Sequence, residues 1–291
     1  MSDPGRRQAR LGMASMTLAM ALFSVNDAFV KAVARDLPVA QIMGVRGAFA
    51  TLGVLAYLAF TRPAGAFAGL THPLVMVRSL AETLAIVCLI VAFSRIPIGD
   101  ATAISQSVPL VLLPAAALFL KERIAPVQWV LVVVGFLGVV LIAKPFTGGF
   151  DPAIGLAIVT AILFAFRDLT ARQMPASVSS SAVTLSTVAV VMIAAGAFAL
   201  VRGVVPMSWM QVGMLAAAGL LLAWGQAAVI LAFRLATVAD AGPFNYTKTA
   251  FALIVGIVAF GEWPDLFSIA GGVLVVASGL AIALGLGRRA A

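Results

Sequence analysis

The chain has 291 residues, of which 63% are hydrophobic and 10% are charged, and its mean hydropathy is +1.12. A water-soluble domain of this size carries far more surface charge, so the composition excludes a soluble enzyme or binding protein and indicates a chain embedded in lipid. The net charge of +8 invites a nucleic-acid interpretation, which the distribution of the basic residues argues against.

Ten apolar stretches are each long enough to cross the hydrocarbon core, which takes roughly 20 helical residues. Short breaks that contain proline, glycine and charge separate them. The predicted spans cover about 11–33, 39–60, 73–94, 100–119, 126–143, 153–172, 180–201, 208–233, 240–260 and 266–286. The predicted fold class is therefore all-α integral membrane, with ten transmembrane helices.

The basic residues are unevenly divided between the two membrane faces. With the N-terminus in the cytoplasm, eleven Lys and Arg residues fall on the cytoplasmic side and five on the other, namely Lys31, Arg35, Arg95, Lys144 and Arg202. This excess is typical of the cytoplasmic loops of helical membrane proteins. We therefore expect both termini in the cytoplasm, a multi-pass protein of the cytoplasmic membrane, lipid as its surroundings and no nucleic-acid partner.

A weak internal repeat divides the chain. Residues 92–142 align without a gap on 232–282, at an offset of 140, with eight identities. They pair Ala92-Phe93 with Ala232-Phe233, Asp100-Ala101 with Asp240-Ala241, Leu113 with Leu253, Glu122 with Glu262, Val133 with Val273 and Ile142 with Ile282. Scarce acidic residues thus fall on the same helix boundaries in both copies, and we interpret Glu122 and Glu262 as topological.

Each copy holds five helices, so the second copy starts on the opposite side of the membrane and is inverted. The predicted units are 11–143 and 153–286. Inverted repeats typically hold a binding site at the membrane midplane and open it alternately to each side. The pattern favours a secondary transporter.

These features resemble the drug/metabolite transporter superfamily, in the branch of ten-helix exporters with two tandem EamA domains. The likeness covers the whole chain and is carried by Arg46, Arg78, Ala92-Phe93, Ile96-Pro97, Asp100-Ala101, Pro109, Lys121-Glu122-Arg123, Asp240-Ala241, Tyr246 and Phe260-Gly261-Glu262. The resemblance implies export of amino acids, other metabolites or drugs, and it is nearest to exporters of amino acids, including aromatic ones. Thr249 stands where symmetry with Pro109 would place a proline, which predicts that the two halves bend differently.

Six charged residues lie deep within predicted spans, three of each sign, where charge is costly and usually faces an interior or a wet cavity. They are Asp27, Arg46, Glu82, Arg167, Asp168 and Lys248. One interpretation makes Glu82 and Lys248 substrate-binding residues that meet the ammonium and the carboxylate of a zwitterion. In the other, they pair with each other, with Arg78 or with backbone carbonyls, and only hold helices together.

The two aspartates occupy equivalent places in the two halves, near opposite membrane faces. Asp27 and Asp168 are candidates for gating or proton transfer, or they satisfy backbone groups at a helix irregularity. Arg46 and Arg167 are interpreted as packing anchors, because an arginine can bind several carbonyls or a carboxylate at once.

Several uncharged polar and aromatic residues complete the candidate site, since a cavity for a small organic solute is mostly apolar with a few polar groups. The substrate-binding candidates are Asn26, Gln106, Ser107, Trp224, Asn245 and Tyr246, with Gln226 as a further one. Pro109 and Pro114 interrupt the fourth span and are hinge candidates, because proline removes a helical hydrogen bond.

The remaining inventory predicts neither a cofactor nor a metal. Cys88 and His72 are the single residues of their kinds, so neither a disulfide nor a His/Cys metal site is expected, and no phosphate-binding loop for ATP is present. Transport would then be driven by the solute's own gradient or by proton exchange. A stripe of small residues, Ala277, Ala281 and Gly285, is expected to pack against the fifth span, which favours a monomer.

Three alternatives stay open. A drug or cationic-compound exporter of the same superfamily would suit an apolar cavity with a single acidic residue. An intramembrane lipid-modifying enzyme would need a nucleophile and base or a metal cluster at membrane depth. A channel would need a ring of like residues along one pore. The sequence favours a carrier of small metabolites, most of all amino acids, that is not an enzyme.

Overall fold

A computed structural model describes residues 3–63, 65–119, 124–144 and 151–284. Within these ranges the chain forms helices and turns and no strand. The helices are α1 (Asp3–Val33), α2 (Val39–Thr61), α3 (Pro73–Phe93), α4 (Ile98–Ser105), α5 (Val108–Phe119), α6 (Pro126–Ala143), α7 (Pro152–Arg172), α8 (Ser180–Arg202), α9 (Trp209–Leu235), α10 (Val238–Ala241), α11 (Thr247–Phe260) and α12 (Leu266–Ala283), with a 3-10 helix at Gly242–Tyr246 before α11. They make ten segments that are long and apolar enough to cross a membrane, which confirms the predicted ten-span fold.

Local sequence signals set the helix ends. Pro73, Pro126 and Pro152 each occupy the first position of a helix, where the missing N–H of proline costs nothing. The Asp151 carboxylate accepts a hydrogen bond from the N–H of Ala153 at 2.8 Å and so caps α7.

The two halves pack against each other more than within themselves. The most extensive helix contacts join α1 to α9, α6 to α12, α3 to α7 and α2 to α8, and each of these pairs takes one helix from each half. This interleaving is the architecture of two inverted five-helix repeats, and it leaves a seam through the centre of the bundle. We call the membrane face on which α1 begins and α12 ends the terminal face, and the opposite one the far face.

The tenth span packs on the fifth as expected, but through a different surface. A Cβ on Gly271 would lie 2.5 Å from the carbonyl oxygen of Gly138, and one on Gly138 would lie 2.6 Å from the carbonyl oxygen of Gly271. Ala277 of the predicted stripe is exposed instead, while Gly285 lies outside the described residues. The stripe prediction is therefore wrong, because the backbones approach where glycine occurs on both helices.

The fourth span of each half is interrupted at the same place in the repeat. In the first half the helix breaks at Gln106–Ser107, directly before the turn that contains Pro109. In the second half the 3-10 helix Gly242–Tyr246 takes the place of that break. Both spans are therefore discontinuous. As expected, the two halves differ in the local geometry of the interruption. Pro114 lies inside a continuous α5.

The outer surface is apolar. Phe60, Val201 and Val258 are 89%, 85% and 81% exposed, which only a lipid environment makes favourable. Trp209 and Trp263 are exposed at span ends of the far face, where tryptophan anchors a protein in the membrane interface.

Candidate solute-binding site

A cavity of about 600 Å³ lies at the seam between the halves, within the usual size of sites for small molecules, roughly 300–1,000 Å³. It reaches from Val30 and Phe93 near the far face, which are 1% and 2% exposed, to Phe233 and Asn245 near the terminal face, which are both exposed. We infer from this difference in exposure that the cavity is closed at the far face and opens towards the terminal face.

Among the residues that the structure describes, seven charged ones line this cavity, four basic and three acidic. They are Asp27, Arg46, Arg78, Glu82, Arg167, Asp168 and Lys248. All six of the deep charges identified in the sequence thus meet in one place, and Arg78 joins them. The cavity carries both signs, with one basic group in excess.

The charges nearer the terminal face form a network centred on α7. The Arg167 guanidinium contacts a Glu82 carboxylate oxygen at 2.7 Å and an Asp168 oxygen at 2.8 Å. Arg78 donates to the Thr187 hydroxyl at 2.9 Å. Arg167 therefore anchors two carboxylates, and the pairing of Glu82 is with neither Lys248 nor Arg78.

The charged residues nearer the far face connect the first span with the ninth through an ion pair. The Lys248 ammonium lies 3.0 Å from Asp27, and the Asn26 amide donates to the same carboxylate at 2.8 Å. Arg46, on α2, differs from these residues because its buried Nε has no hydrogen-bond partner. It lies near enough to Asp27 and Glu82 to be attracted by both.

The two discontinuous spans touch each other at the cavity. The Gln106 amide, at the break of the first half, donates to the carbonyl of Asn245, in the 3-10 helix of the second half, at 3.1 Å. Tyr246 and Pro109, from the same two spans, also line the cavity. Discontinuous helices of inverted repeats are where carriers form their binding sites.

An ion pair closes the far face. The Lys31 ammonium lies 2.7 Å from Glu262 and donates to the carbonyl of Ile96 at 2.8 Å. The second Glu262 oxygen accepts from the N–H of Ile98, at the start of α4, at 2.9 Å. Glu262 lies at a helix boundary, and it also ties the second half to two elements of the first. Its repeat partner Glu122 lies outside the described residues.

Three candidates from the sequence lie away from the cavity. Trp224 is 68% exposed on the outside of the bundle, so the prediction that it lines the cavity is wrong. Ser107 is buried next to the helix break, and neither it nor Pro114 is among the lining residues. Hydropathy predicts how deep in the membrane such residues lie. It does not predict which side of the helix they occupy, because their helices are apolar all round.

The phenylalanines of the lining escaped the sequence reasoning. Phe23, Phe93, Phe164 and Phe233 line the cavity together with the predicted Gln226 and Tyr246. The chain has 18 phenylalanines, so their type alone carries no positional signal.

Comparison with known proteins identifies the fold. A family model described as the EamA-like transporter family matches residues 10–144 and 151–284. The chain belongs to the EamA-like transporter family. The two matches fall on the two inverted halves.

The proteins that this EamA-like transporter resembles in sequence are also named as transporters. The pseudopaline exporter CntI of Pseudomonas aeruginosa is 31% identical over 273 residues, which cover 93% of this chain and 95% of that protein. An S-adenosylmethionine uptake transporter of Rickettsia prowazekii is 27% identical, covering 64% of this chain and 63% of that protein. A riboflavin transporter of Rhizobium johnstonii is 26% identical, covering 71% and 68%. Both directions of transport occur among these relatives.

A crystal structure with the same fold covers 96% of this EamA-like transporter and 98% of its own chain, with a TM-score of 0.63 and 17% identity. Among the residues that the structure describes, no group of three or more His, Cys, Asp and Glu side chains could hold a metal.

Proposed function

We propose that this EamA-like transporter exports amino acids or closely related zwitterionic metabolites across the cytoplasmic membrane, as a monomer with cytoplasmic termini. The observation that carries the proposal is the charge of the seam cavity, where the acidic residues Asp27 and Glu82 and the basic residue Arg46 line the same space. A zwitterion presents both signs on one small molecule, so it complements such a site better than a cation alone.

The closed far face supports alternating access. In the described arrangement the cavity reaches the terminal face, while the Lys31–Glu262 ion pair holds the far side together. Opening towards the far face requires this pair to break. Rocking of one inverted half against the other would achieve this.

Two observations favour export. The exporter relative matches nearly the whole chain, whereas the uptake transporter matches about two thirds of it. With cytoplasmic termini, the terminal face is the cytoplasmic one, so the described cavity would load its solute from inside the cell.

Counterflow in liposomes tests the proposal. Purified protein is reconstituted, the liposomes are loaded with an unlabelled amino acid, and entry of the same labelled amino acid is followed for each of the common amino acids. A panel of labelled lipophilic cations serves as the comparison, and protein-free liposomes give the background. We expect saturable counterflow of at least one amino acid and none of the cations.

The opposite result decides against the proposal. Saturable counterflow of cations with no amino acid would assign a cationic-compound exporter. Inhibition of amino acid counterflow by an unlabelled cation, without transport of that cation, would leave the proposal standing.

A further inference from the structure

The cations of the cavity differ in what they bind. Lys248 lies 3.0 Å from Asp27, Arg167 contacts two carboxylates, and Arg78 donates to a threonine hydroxyl. Each of these three cations therefore has a protein partner, either an ion pair or a hydrogen bond. Arg46 is the exception within the described part of the chain.

Arg46 is buried, and the Nε of its guanidinium has no hydrogen-bond partner among the described residues. The residue is 8% exposed, and it lines the cavity. Burying a charged group without a partner is costly, so buried charges in proteins are normally paired. An arginine held in this way is incomplete until an acceptor enters the cavity.

The chemistry of the missing acceptor follows from the guanidinium. Arginine presents five N–H donors in a planar fork that matches a carboxylate in a two-point contact. Asp27 and Glu82 line the cavity together with Arg46, yet neither forms an ion pair with it; one oxygen of Asp27 pairs with Lys248 and one of Glu82 with Arg167. An incoming carboxylate therefore meets a cation that is free to bind it.

We propose that Arg46 is the carboxylate-binding residue of the cavity and that every transported solute carries at least one carboxylate. The inference rests on the proposed transport function and adds its substrate class. The neighbouring carboxylates then face the remainder of the solute, which favours molecules that also carry a positive group. Loss of such a charge-assisted contact lowers affinity by about 10- to 100-fold.

Ligand-induced thermal stabilisation of the purified protein tests this directly, since a ligand that binds the native state raises the melting temperature. The probes are the amino acid with the highest counterflow, its amide, its decarboxylated amine, and succinate as a carboxylate that lacks an amine. We expect stabilisation by the amino acid and about 10- to 100-fold weaker binding of the amide and the amine.

Three variants locate the effect. Arg46→Gln should bind the amino acid and its amide with equal, weak affinity, while Arg46→Lys keeps the charge and should retain part of the discrimination. Arg202→Gln is the matched control, because it removes the same group from an arginine that lies over Phe198 at the end of α8, away from the cavity, and it should preserve the discrimination.

The outcomes separate this inference from the proposed function. Equal binding of amino acid and amide by the unmodified protein, or unchanged discrimination in Arg46→Gln, overturns the carboxylate site even when amino acids are transported. If succinate but no amino acid stabilises the protein, and Arg46→Gln removes the effect, the proposed solute is wrong and the carboxylate site stands. Binding of amines alone overturns both.

Discussion

The ion pair at the far face gives the sharpest prediction about the transport cycle. One Glu262 oxygen pairs with the Lys31 ammonium, and the other accepts a hydrogen bond from the N–H of Ile98. Glu262→Gln keeps the shape of the side chain and its ability to accept a hydrogen bond, but it removes the charge. We expect the variant to open towards the far face more often than the unmodified protein does.

The size of the effect follows from the burial of the pair. Lys31 and Glu262 have side chains that are 7% and 21% exposed, so solvent screens their attraction only in part. A hydrogen bond to a charged group contributes roughly 1.5–3 kcal/mol, and the neutral amide retains some of it. We expect the ratio of closed to open far face to fall by about 10-fold, which corresponds to about 1.4 kcal/mol.

Thiol labelling from the far face measures that ratio. The single cysteine Cys88 is first replaced by serine, and Val30, which is 1% exposed at the closed end of the cavity, becomes the reporter as Val30→Cys. Glu262→Gln should raise the labelling rate with a membrane-impermeant maleimide about 10-fold, because only far-face-open molecules react.

A second far-face carboxylate provides the control. Asp265 pairs with Lys144 across the same two halves, but it is 52% exposed, and exposed ion pairs contribute little. Asp265→Asn should leave the labelling of Val30→Cys unchanged. Equal labelling of the Glu262→Gln variant and the unmodified protein would refute the assignment of this ion pair as a closure.

Further predictions concern the cavity, the packing and the surface. Glu82→Gln should lower counterflow at least about 10-fold with normal membrane insertion, because it leaves a buried arginine without one carboxylate; full counterflow would reduce Glu82 to packing. Gly271→Val should cost at least about 1–3 kcal/mol, since its Cβ would meet backbone at 2.5 Å; an unchanged melting temperature in detergent contradicts this. Trp224→Leu should leave counterflow within about 2-fold of normal, as the indole faces outwards; loss of transport in an inserted protein contradicts its placement. A hydrogen bond from Lys144 holds the pKa of Asp265 below its usual value, so its stabilising contribution is present at neutral pH and lost as the pH falls below about 4; a melting-temperature difference between the unmodified protein and Asp265→Asn that grows on acidification contradicts this.

The sequence predicted the spans and the set of buried charges because both follow from solvation. A run of apolar residues must be a membrane helix, and a charge within it must face the interior. For this reason Asp27, Glu82 and Lys248 were identified as cavity candidates, and all three line the cavity.

The pairing of those charges could not be predicted, because it depends on which helices adjoin across the seam. Arg167 reaches Glu82 from the other half, and Lys248 reaches Asp27 in the same way. No local signal links residues so far apart in the chain.

A helix that is apolar on every side also conceals which of its residues face inwards. For this reason Trp224 was wrongly placed in the cavity. The contacts of Glu262, which lies in the loop between α11 and α12, were missed because Lys31 and Ile98 are far from it in the chain.

Cross-linking of the far face tests alternating access most directly. In the Cys88→Ser background, Lys31→Cys and Glu262→Cys are joined by a short bifunctional methanethiosulfonate, which a reductant cleaves. Movement of the two halves at this face is required in every cycle, so the cross-linked protein should show no counterflow, and reduction should restore the rate of the uncross-linked double variant. Undiminished counterflow through fully cross-linked protein would contradict the alternating opening of the cavity.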